Sequence, residues 1–295
     1  MRMRQAFATV LLCTAPALTG CLSHTRIVPR THAPAIILDS TLDQLTNQVN
    51  SRFDAIRTMN ASVEIVATTG GGLTGEEKDS LSFGGYIFVR KPQDLRVILR
   101  VPLLGSQALD MVSDAKQWKL WIPPRNRAME GTSEVTKPSK NGLENLRPAV
   151  FFDSLLIRGL APDQIVSLTS DIRVVDHSTR KKSDLIEVPD YDIEILSQPQ
   201  GQVSRTLRVI HISREDLLPY QQDIYDPAGN IVTKAFYSNY HNYGDIPFPT
   251  KIVIKRPQDQ YSLTVTVTKV AFNQPMDDDQ FDLNIPDTVP IQNMN

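Results

Sequence analysis

The feature that most constrains the fold of this chain is an alternation of apolar and polar side chains that recurs after residue 61. Every second residue of 95–101 (LRVILRV) is Leu or Val, and the pattern returns in 118–122 (WKLWI), 251–255 (KIVIK) and 263–268 (LTVTVT). Because successive side chains of a strand point to opposite faces of a sheet, this period predicts antiparallel strands with one face in an apolar interior. Turn signals rich in Gly, Pro and Asp separate the segments. The sequence therefore predicts a mainly β chain built on a long, curled antiparallel sheet.

Two segments have a helical period instead. Apolar residues recur at steps of three and four in residues 38–56, which predicts one amphipathic helix. Ser40 or Thr41 is the expected N-cap, and Thr41 with Gln44 fits a capping box. Pro148 suits the first turn of a second, short helix. The apolar face of that helix consists of Phe151, Phe152, Leu155 and Leu156.

Charge and motifs argue against several functions. The 295 residues carry 31 basic and 33 acidic side chains, so there is no basic excess for binding a nucleic-acid backbone. The five His are scattered, and no Gly-x-Ser-x-Gly sequence is present for a hydrolase serine. We therefore expect no metal, no cofactor and no enzymatic activity. Gly70, Gly72 and Gly75 fit a dinucleotide-site pattern, but no helix is expected after them, which favours a hairpin turn.

The N-terminal residues resemble a bacterial lipoprotein signal. Arg2 and Arg4 precede an apolar stretch that is too short to span a bilayer. The stretch ends in Leu18-Thr19-Gly20-Cys21, which resembles a lipobox, where the signal is cut before the Cys and the Cys is acylated. Cys13 lies inside the signal, so Cys21 is the one thiol expected in the mature chain. The alternative is an ordinary secreted protein in which Cys21 occurs by chance.

The lipobox divides the chain into three expected parts. Residues 1–20 are the lipoprotein signal peptide, residues 21–36 are the acylated Cys and a flexible tether, and residues 37–295 are a single domain. Leu22 follows the Cys, whereas an Asp at that position retains many lipoproteins in the inner membrane. The resemblance therefore implies a lipid anchor in the outer membrane, with the domain on the periplasmic face.

One connection between predicted strands is unusually apolar. Residues 102–105 (PLLG) link two strands, although hairpin loops are normally polar. Leu103 and Leu104 either fold back beneath the end of the sheet or form an exposed tip that touches acyl chains or a bilayer surface.

In their order along the chain, these segments resemble the LolA/LolB superfamily of periplasmic lipoprotein carriers and receptors. Residues 85–96 (GYIFVRKPQDLR) resemble the family's strand, basic-Pro turn and strand. Residues 107–124 (QALDMVSDAKQWKLWIPP) resemble its Asp-containing turn and aromatic strand, and residues 281–289 (FDLNIPDTV) resemble its closing segment. The resemblance covers about residues 38–290. It implies a half-open antiparallel β-barrel that is closed by helices over a hydrophobic cavity.

The resemblance also implies roles for individual residues. Leu103 and Leu104 look like the protruding loop of the receptor branch, which contacts acyl chains and the membrane. Lys91 stands where the carriers have an Arg that contacts the lid. The expected lid residues are Lys91, Phe151, Phe152 and Leu155. The expected cavity-lining residues are Ile87, Val89, Leu95, Val97, Leu99, Trp118, Leu120, Ile122, Leu263, Val265 and Val267.

Two functional hypotheses follow from this resemblance. The first is a monomeric, non-catalytic outer-membrane lipoprotein that binds acyl chains of lipoproteins or lipids and helps sort or insert them. Its expected partners are acylated lipoproteins or lipid, a periplasmic LolA-like carrier, and the membrane through the lipid anchor, with no nucleic acid. The second is a periplasmic sensor of the same fold, similar to modulators of anti-sigma factors, that binds a partner protein.

Overall fold

The computed structural model describes residues 25–71, 74–114, 116–132, 148–180 and 183–294. The predicted signal peptide, Cys21 and Gly72 lie outside these residues. Two α-helices occur in the described part of the chain, α1 (Leu42–Ala55) and α2 (Pro148–Leu155). The described strands are β1 (Thr31–His32), β2 (Thr58–Gly71), β3 (Glu76–Asp79), β4 (Phe83–Arg90), β5 (Asp94–Arg100), β6 (Gln107–Ser113), β7 (Gln117–Ile122), β8 (Arg127–Thr132), β9 (Ile165–Asp176), β10 (Leu185–Leu196), β11 (Thr206–Ser213), β12 (Pro219–Tyr225), β13 (Ile231–Tyr243), β14 (Ile246–Arg256), β15 (Tyr261–Phe272) and β16 (Ile291–Asn293).

The described residues divide into a smaller compact unit, formed by those within 25–34 and 174–187, and a larger one, formed by those within 35–173 and 188–294. In the smaller unit, β1 pairs in parallel with residues 185–186. The His32 Nε2 atom lies 2.7 Å from the Asp184 carboxylate. The sequence predicted only an irregular tether here, because a strand of two residues is too short to show a period.

The larger unit contains one long sheet. Its described strands follow the order β10-β11-β12-β13-β14-β15-β2-β4-β5-β6-β7-β8-β16, and β3 pairs with β2 as a hairpin. Neighbouring strands are antiparallel except β8 and β16. Among the described strands, the first and last of this order do not pair, so the sheet is open. The predicted mainly β fold with an open antiparallel sheet is confirmed, and the predicted turn at Gly70 belongs to the β2–β3 hairpin.

Helix α1 forms where the apolar stripe and the capping box predicted it. The Thr41 Oγ1 atom accepts a hydrogen bond from the Gln44 backbone N–H, and the Gln44 side chain accepts one from the Thr41 N–H. These bonds satisfy two of the backbone donors that a helix start leaves open. Leu45 and Val49 are buried against strands β10 and β11. Leu38, which the stripe included, precedes the helix and is partly exposed.

A larger apolar core lies between the remaining strands and α2. It contains buried side chains from β2, β4–β8 and β13–β15. Helix α2 starts at Pro148, as predicted, and buries Phe151, Phe152 and Leu155 in this core. No helix in the described residues is long and apolar enough to cross a membrane.

Candidate functional site

The core of the larger unit encloses an apolar cavity. It has a volume of about 340 Å³, which lies in the roughly 300–1,000 Å³ range of small-molecule sites. The wall is built by the inward-facing side chains of β2, β4–β7 and β15, by the turn that follows β7, and by Phe151 of α2. The alternation along the strands is the reason that one face of the sheet supplies an almost continuous apolar wall.

Apart from two residues, every side chain of the wall is apolar. The lining residues are Ile65, Ala67, Ser80, Phe83, Val97, Leu99, Val101, Ala108, Leu109, Met111, Leu120, Ile122, Pro124, Arg125, Phe151 and Leu263. The Ser80 hydroxyl donates to the Leu81 carbonyl and accepts from the Ala67 N–H, so its polarity is satisfied locally. The wall therefore suits an apolar ligand and offers one charged group, the Arg125 guanidinium.

The structure places the predicted cavity residues in two groups. Five of them line the cavity: Val97, Leu99, Leu120, Ile122 and Leu263. The other six are buried in the same core but do not line it: Ile87, Val89, Leu95, Trp118, Val265 and Val267. The alternation identifies the inward face, but it does not show how far along a strand the interior is hollow.

Several lining residues were not predicted. Ile65, Leu109 and Met111 lie on the inward faces of β2 and β6, and Leu109 lies opposite Leu99 in the sheet. Ile65 could have been predicted from the alternation of buried residues along β2, because it lies two residues after the buried Val63. No sequence pattern pointed to Pro124 or Arg125, because they follow the end of β7.

The loop between β5 and β6 is exposed at its tip. Leu103 is fully exposed and Leu104 is 79% exposed, so they do not fold back beneath the sheet end. The Gly105 N–H donates to the Val101 carbonyl, which closes the turn. Leu103 has φ 66°, a left-handed conformation that costs an L-residue about 1 kcal/mol. The adjacent Val101 lines the cavity, so the tip extends from the cavity rim.

The rim has another exposed leucine. Leu81 is 71% exposed and lies between the cavity-lining residues Ser80 and Phe83. Phe83 begins β4, and Gly84 lies opposite Arg100, where β5 ends. The β5–β6 loop and the segment before β4 therefore leave the sheet at the same end. No sequence pattern indicated this arrangement, because Leu81 lies in a polar segment.

The predicted lid residues fall into different environments. Phe151 lines the cavity, Phe152 lines a separate space of about 40 Å³ beside Leu95 and Trp118, and Leu155 lines one of about 60 Å³ beside α1. Helix α2 thus covers the core, and Phe151 is its contribution to the cavity wall.

Lys91 contacts helix α1 at Phe53. Its Nζ atom donates a 2.5 Å hydrogen bond to the Phe53 carbonyl and lies 3.8 Å from the centre of the Phe53 ring. Burial lowers the pKa of Lys91, and the nearby Asp54 opposes that effect. A cation at the last turn of a helix satisfies a free carbonyl and interacts favourably with the helix dipole. Lys91 therefore stabilises the C-terminal end of α1.

Known proteins share this architecture. A family model described only as an uncharacterized protein matches residues 167–285. A DUF1329 family protein from Desulfovibrio piger is similar in structure with a TM-score of 0.50 and 15% identity, over 81% of this chain and 94% of that one. The comparison with curated proteins gives no match.

Two further similar structures carry descriptions related to lipoprotein sorting. A LolA superfamily protein from Nitrosomonas europaea has a TM-score of 0.49 and 12% identity, over 81% of this chain and 97% of that one. An outer membrane lipoprotein-sorting protein domain from Vibrio parahaemolyticus has a TM-score of 0.45 and 11% identity, over 81% of this chain and 94% of that one. The chain is thus an open-sheet, mainly β protein with an apolar cavity. Its fold is that of the DUF1329 protein, and a LolA superfamily structure is among those similar to it.

Proposed function

We propose that this chain is a lipid-anchored, non-catalytic protein that binds acyl chains of lipoproteins or lipids and helps sort or insert them at the outer membrane. The observation that carries the proposal is the cavity of about 340 Å³, whose wall is apolar except for Ser80 and Arg125. Binding an acyl chain needs an apolar enclosure and no catalytic group.

The energetics favour such a ligand. Each CH₂ group that leaves water gains about 0.8 kcal/mol, so a chain of sixteen carbons costs roughly 12 kcal/mol to hold in water. A cavity that buries most of one chain offsets most of that cost. An acylated protein or lipid otherwise has no low-energy route through an aqueous compartment.

The exposed leucines at the rim support transfer to or from a membrane. Leu81, Leu103 and Leu104 place apolar side chains in solvent beside the cavity wall. Exposed apolar groups of this kind mark contact sites for lipid or protein. The left-handed backbone at Leu103 is a local cost that the fold tolerates at this tip.

The place of action is part of the same proposal. Acylation at Cys21 would hold the chain on the periplasmic face of the outer membrane, with residues 21–36 as a tether and residues 37–295 as one domain. A periplasmic LolA-like carrier would deliver the acylated cargo, and the protein would act as a monomer. These assignments rest on the sequence resemblance.

A native mass spectrum tests the proposal. Residues 22–295 are exported behind a cleavable signal peptide that lacks the acylated Cys, purified from the periplasm without detergent, and supplied with bacterial lipid extract. We expect an added mass of acyl-containing lipid that is lost on denaturation. A spectrum of the bare protein in the presence of lipid would contradict the proposal. The sensor hypothesis would then predict that a specific protein is retained without lipid.

A further inference from the structure

Arg125 stands at the mouth of the cavity. It belongs to the cavity wall and is also exposed to solvent, so it lies where the cavity meets water. Pro123 and Pro124 precede it in a short 3₁₀ turn, and Asn126 follows in a left-handed conformation, φ 46°. The Asn126 N–H donates to the Pro123 carbonyl at 3.0 Å. Two prolines and a closed turn hold the backbone of Arg125 in place.

The charge of Arg125 has no partner among the described residues. Three other arginines of the larger unit are in ion pairs: Arg96 with Asp110, Arg173 with Asp190, and Arg256 with Asp259. Arg125 makes no hydrogen bond or ion pair with another described residue. Among the described lining residues it is the one cation, and none of them is acidic. The mouth therefore favours an anion, and a guanidinium binds carboxylate or phosphate through two parallel hydrogen bonds.

The cavity volume limits the number of acyl chains. An apolar protein cavity of about 150 Å³ holds one benzene, which has six carbons. By that ratio, 340 Å³ holds roughly 12–14 carbons. This capacity suits most of one acyl chain and is too small for two or three chains of that length.

We propose that the cavity binds one acyl chain of an amphiphile whose anionic headgroup, a carboxylate or a phosphate, is bound by Arg125. This inference rests on the proposed function and narrows its ligand to a single-chain anionic lipid. The chain fills the space between Leu99, Leu109 and Leu120, and the headgroup stays at the mouth in water. A cation at the mouth selects among amphiphiles with the same chain, because the apolar wall cannot distinguish their headgroups.

Binding of three matched probes to the same non-acylated protein, residues 22–295, tests the inference. The probes are tetradecanoate, tetradecanol and tetradecanoyl lysophosphatidylglycerol, each kept below its micelle concentration. We expect tetradecanoate to bind about 10-fold more tightly than tetradecanol, since a charge-assisted hydrogen bond adds to the same apolar contact. Binding of the lysophospholipid with a similar preference would identify phosphate as a second headgroup, and its exclusion would identify carboxylate alone.

Variants assign the preference to Arg125. Arg125→Gln should weaken tetradecanoate binding to the level of tetradecanol and leave tetradecanol binding unchanged. Arg100→Gln is the matched control, because Arg100 is also exposed, lies at the same end of the sheet beside the Tyr86 ring, and does not line the cavity. It should keep the full preference, and both variants should keep the wild-type thermal midpoint.

Different results overturn different claims. Equal binding of the acid and the alcohol by the wild type, or an unchanged preference in Arg125→Gln, would overturn the headgroup assignment and leave the proposed function intact. Two or more chains per protein in a native mass spectrum would overturn the single-chain assignment. Failure of all three probes to bind would overturn the inference together with the proposed function.

Discussion

Two regions of the larger unit use their interiors in opposite ways. Around β4–β7 the inward side chains leave an apolar space of about 340 Å³. Beneath β10 and β11, Ile193, Ile195, Ile210 and Ile212 pack against α1 and are almost completely buried. At about 24 cal/mol per Å³, an empty cavity of this size forgoes several kcal/mol of stability. A region that is well packed beside one that is hollow indicates that the hollow one serves a ligand.

The packed region and the cavity region also differ in how their charged side chains are bound. Strands β10–β13 carry a buried polar network in which Asp190 is bound by Arg173 at 3.0 Å and by the Tyr220 hydroxyl at 2.9 Å. The His211 Nδ1–H group donates to the Asp192 carboxylate at 2.7 Å. Asp190 and His211 are thus bound by charged or polar side chains of the same region. The cavity region has its unpaired charge at the mouth, where a ligand can reach it.

The largest expected effect is the loss of Asp190. Its carboxylate is almost fully buried, and Asp190→Ala leaves the Arg173 guanidinium and the Tyr220 hydroxyl without their partner. Removing one member of a buried pair costs about 3–5 kcal/mol. Urea unfolding should show that loss in the free energy of unfolding. Lipid binding by the folded fraction of Asp190→Ala should remain unchanged. A loss in the free energy of unfolding below about 1 kcal/mol would contradict a structural role for the network.

A pair of matched substitutions tests the hollow region against the packed one. Leu109→Trp adds volume beside the empty cavity, and Ile210→Trp adds the same kind of side chain to the packed core. Overpacking typically costs 1–3 kcal/mol, so we expect Ile210→Trp to lose about 3 kcal/mol. Leu109→Trp should stay within about 1 kcal/mol of the wild type.

In lipid binding the order of the two variants should be reversed: the stable Leu109→Trp loses binding, and the destabilised Ile210→Trp retains it. Leu109→Trp fills part of the cavity in which we propose that the acyl chain binds, so lipid uptake in the native mass spectrum should fall strongly. Ile210→Trp should retain uptake wherever it remains folded. Equal destabilisation by both substitutions would show that the cavity closes in solution.

His211 gives the packed region a dependence on pH. Burial opposes its charged form, but the hydrogen bond to Asp192 and the nearby Asp223 carboxylate raise the pKa of His211 to about 9. An imidazole in an unfolded chain has a pKa of about 6.5. The folded state therefore gains stability that is fully present below about pH 6.5 and is lost as pH rises through 9.

The loss at high pH should be on the order of 1–3 kcal/mol and should be absent in His211→Gln. Unfolding free energies measured between pH 6 and pH 10 for both proteins give the difference directly. A wild-type curve parallel to that of His211→Gln would show that His211 is neutral in the folded protein.

The sequence predicted those features that depend on near neighbours along the chain. The capping box at Thr41 and Gln44 and the Pro148 start of α2 form as expected, because a few adjacent residues determine them. The inward faces of β5, β7 and β15, where the alternation is regular, were predicted for the same reason. Whether Val97 borders empty space while Val89 is packed depends on side chains from distant strands. The network at Asp190 and the exposed rim at Leu81 likewise depend on how distant segments meet, and no local period encodes that.

The smallest expected effect on stability belongs to the loop that most directly serves the proposed function. Leu103→Glu combined with Leu104→Glu replaces two exposed side chains, so the thermal midpoint should remain nearly unchanged. Transfer of acylated cargo to vesicles should be blocked, because the carboxylates cannot enter an apolar membrane surface. Leu103→Met with Leu104→Met keeps the apolar character and is the matched control, with transfer expected near the wild-type rate. Normal transfer by the Glu variant would show that the tip does not contact lipid. A large fall in its thermal midpoint would show instead that both leucines are packed in solution, and the cavity region would then have no exposed contact at its β5–β6 loop.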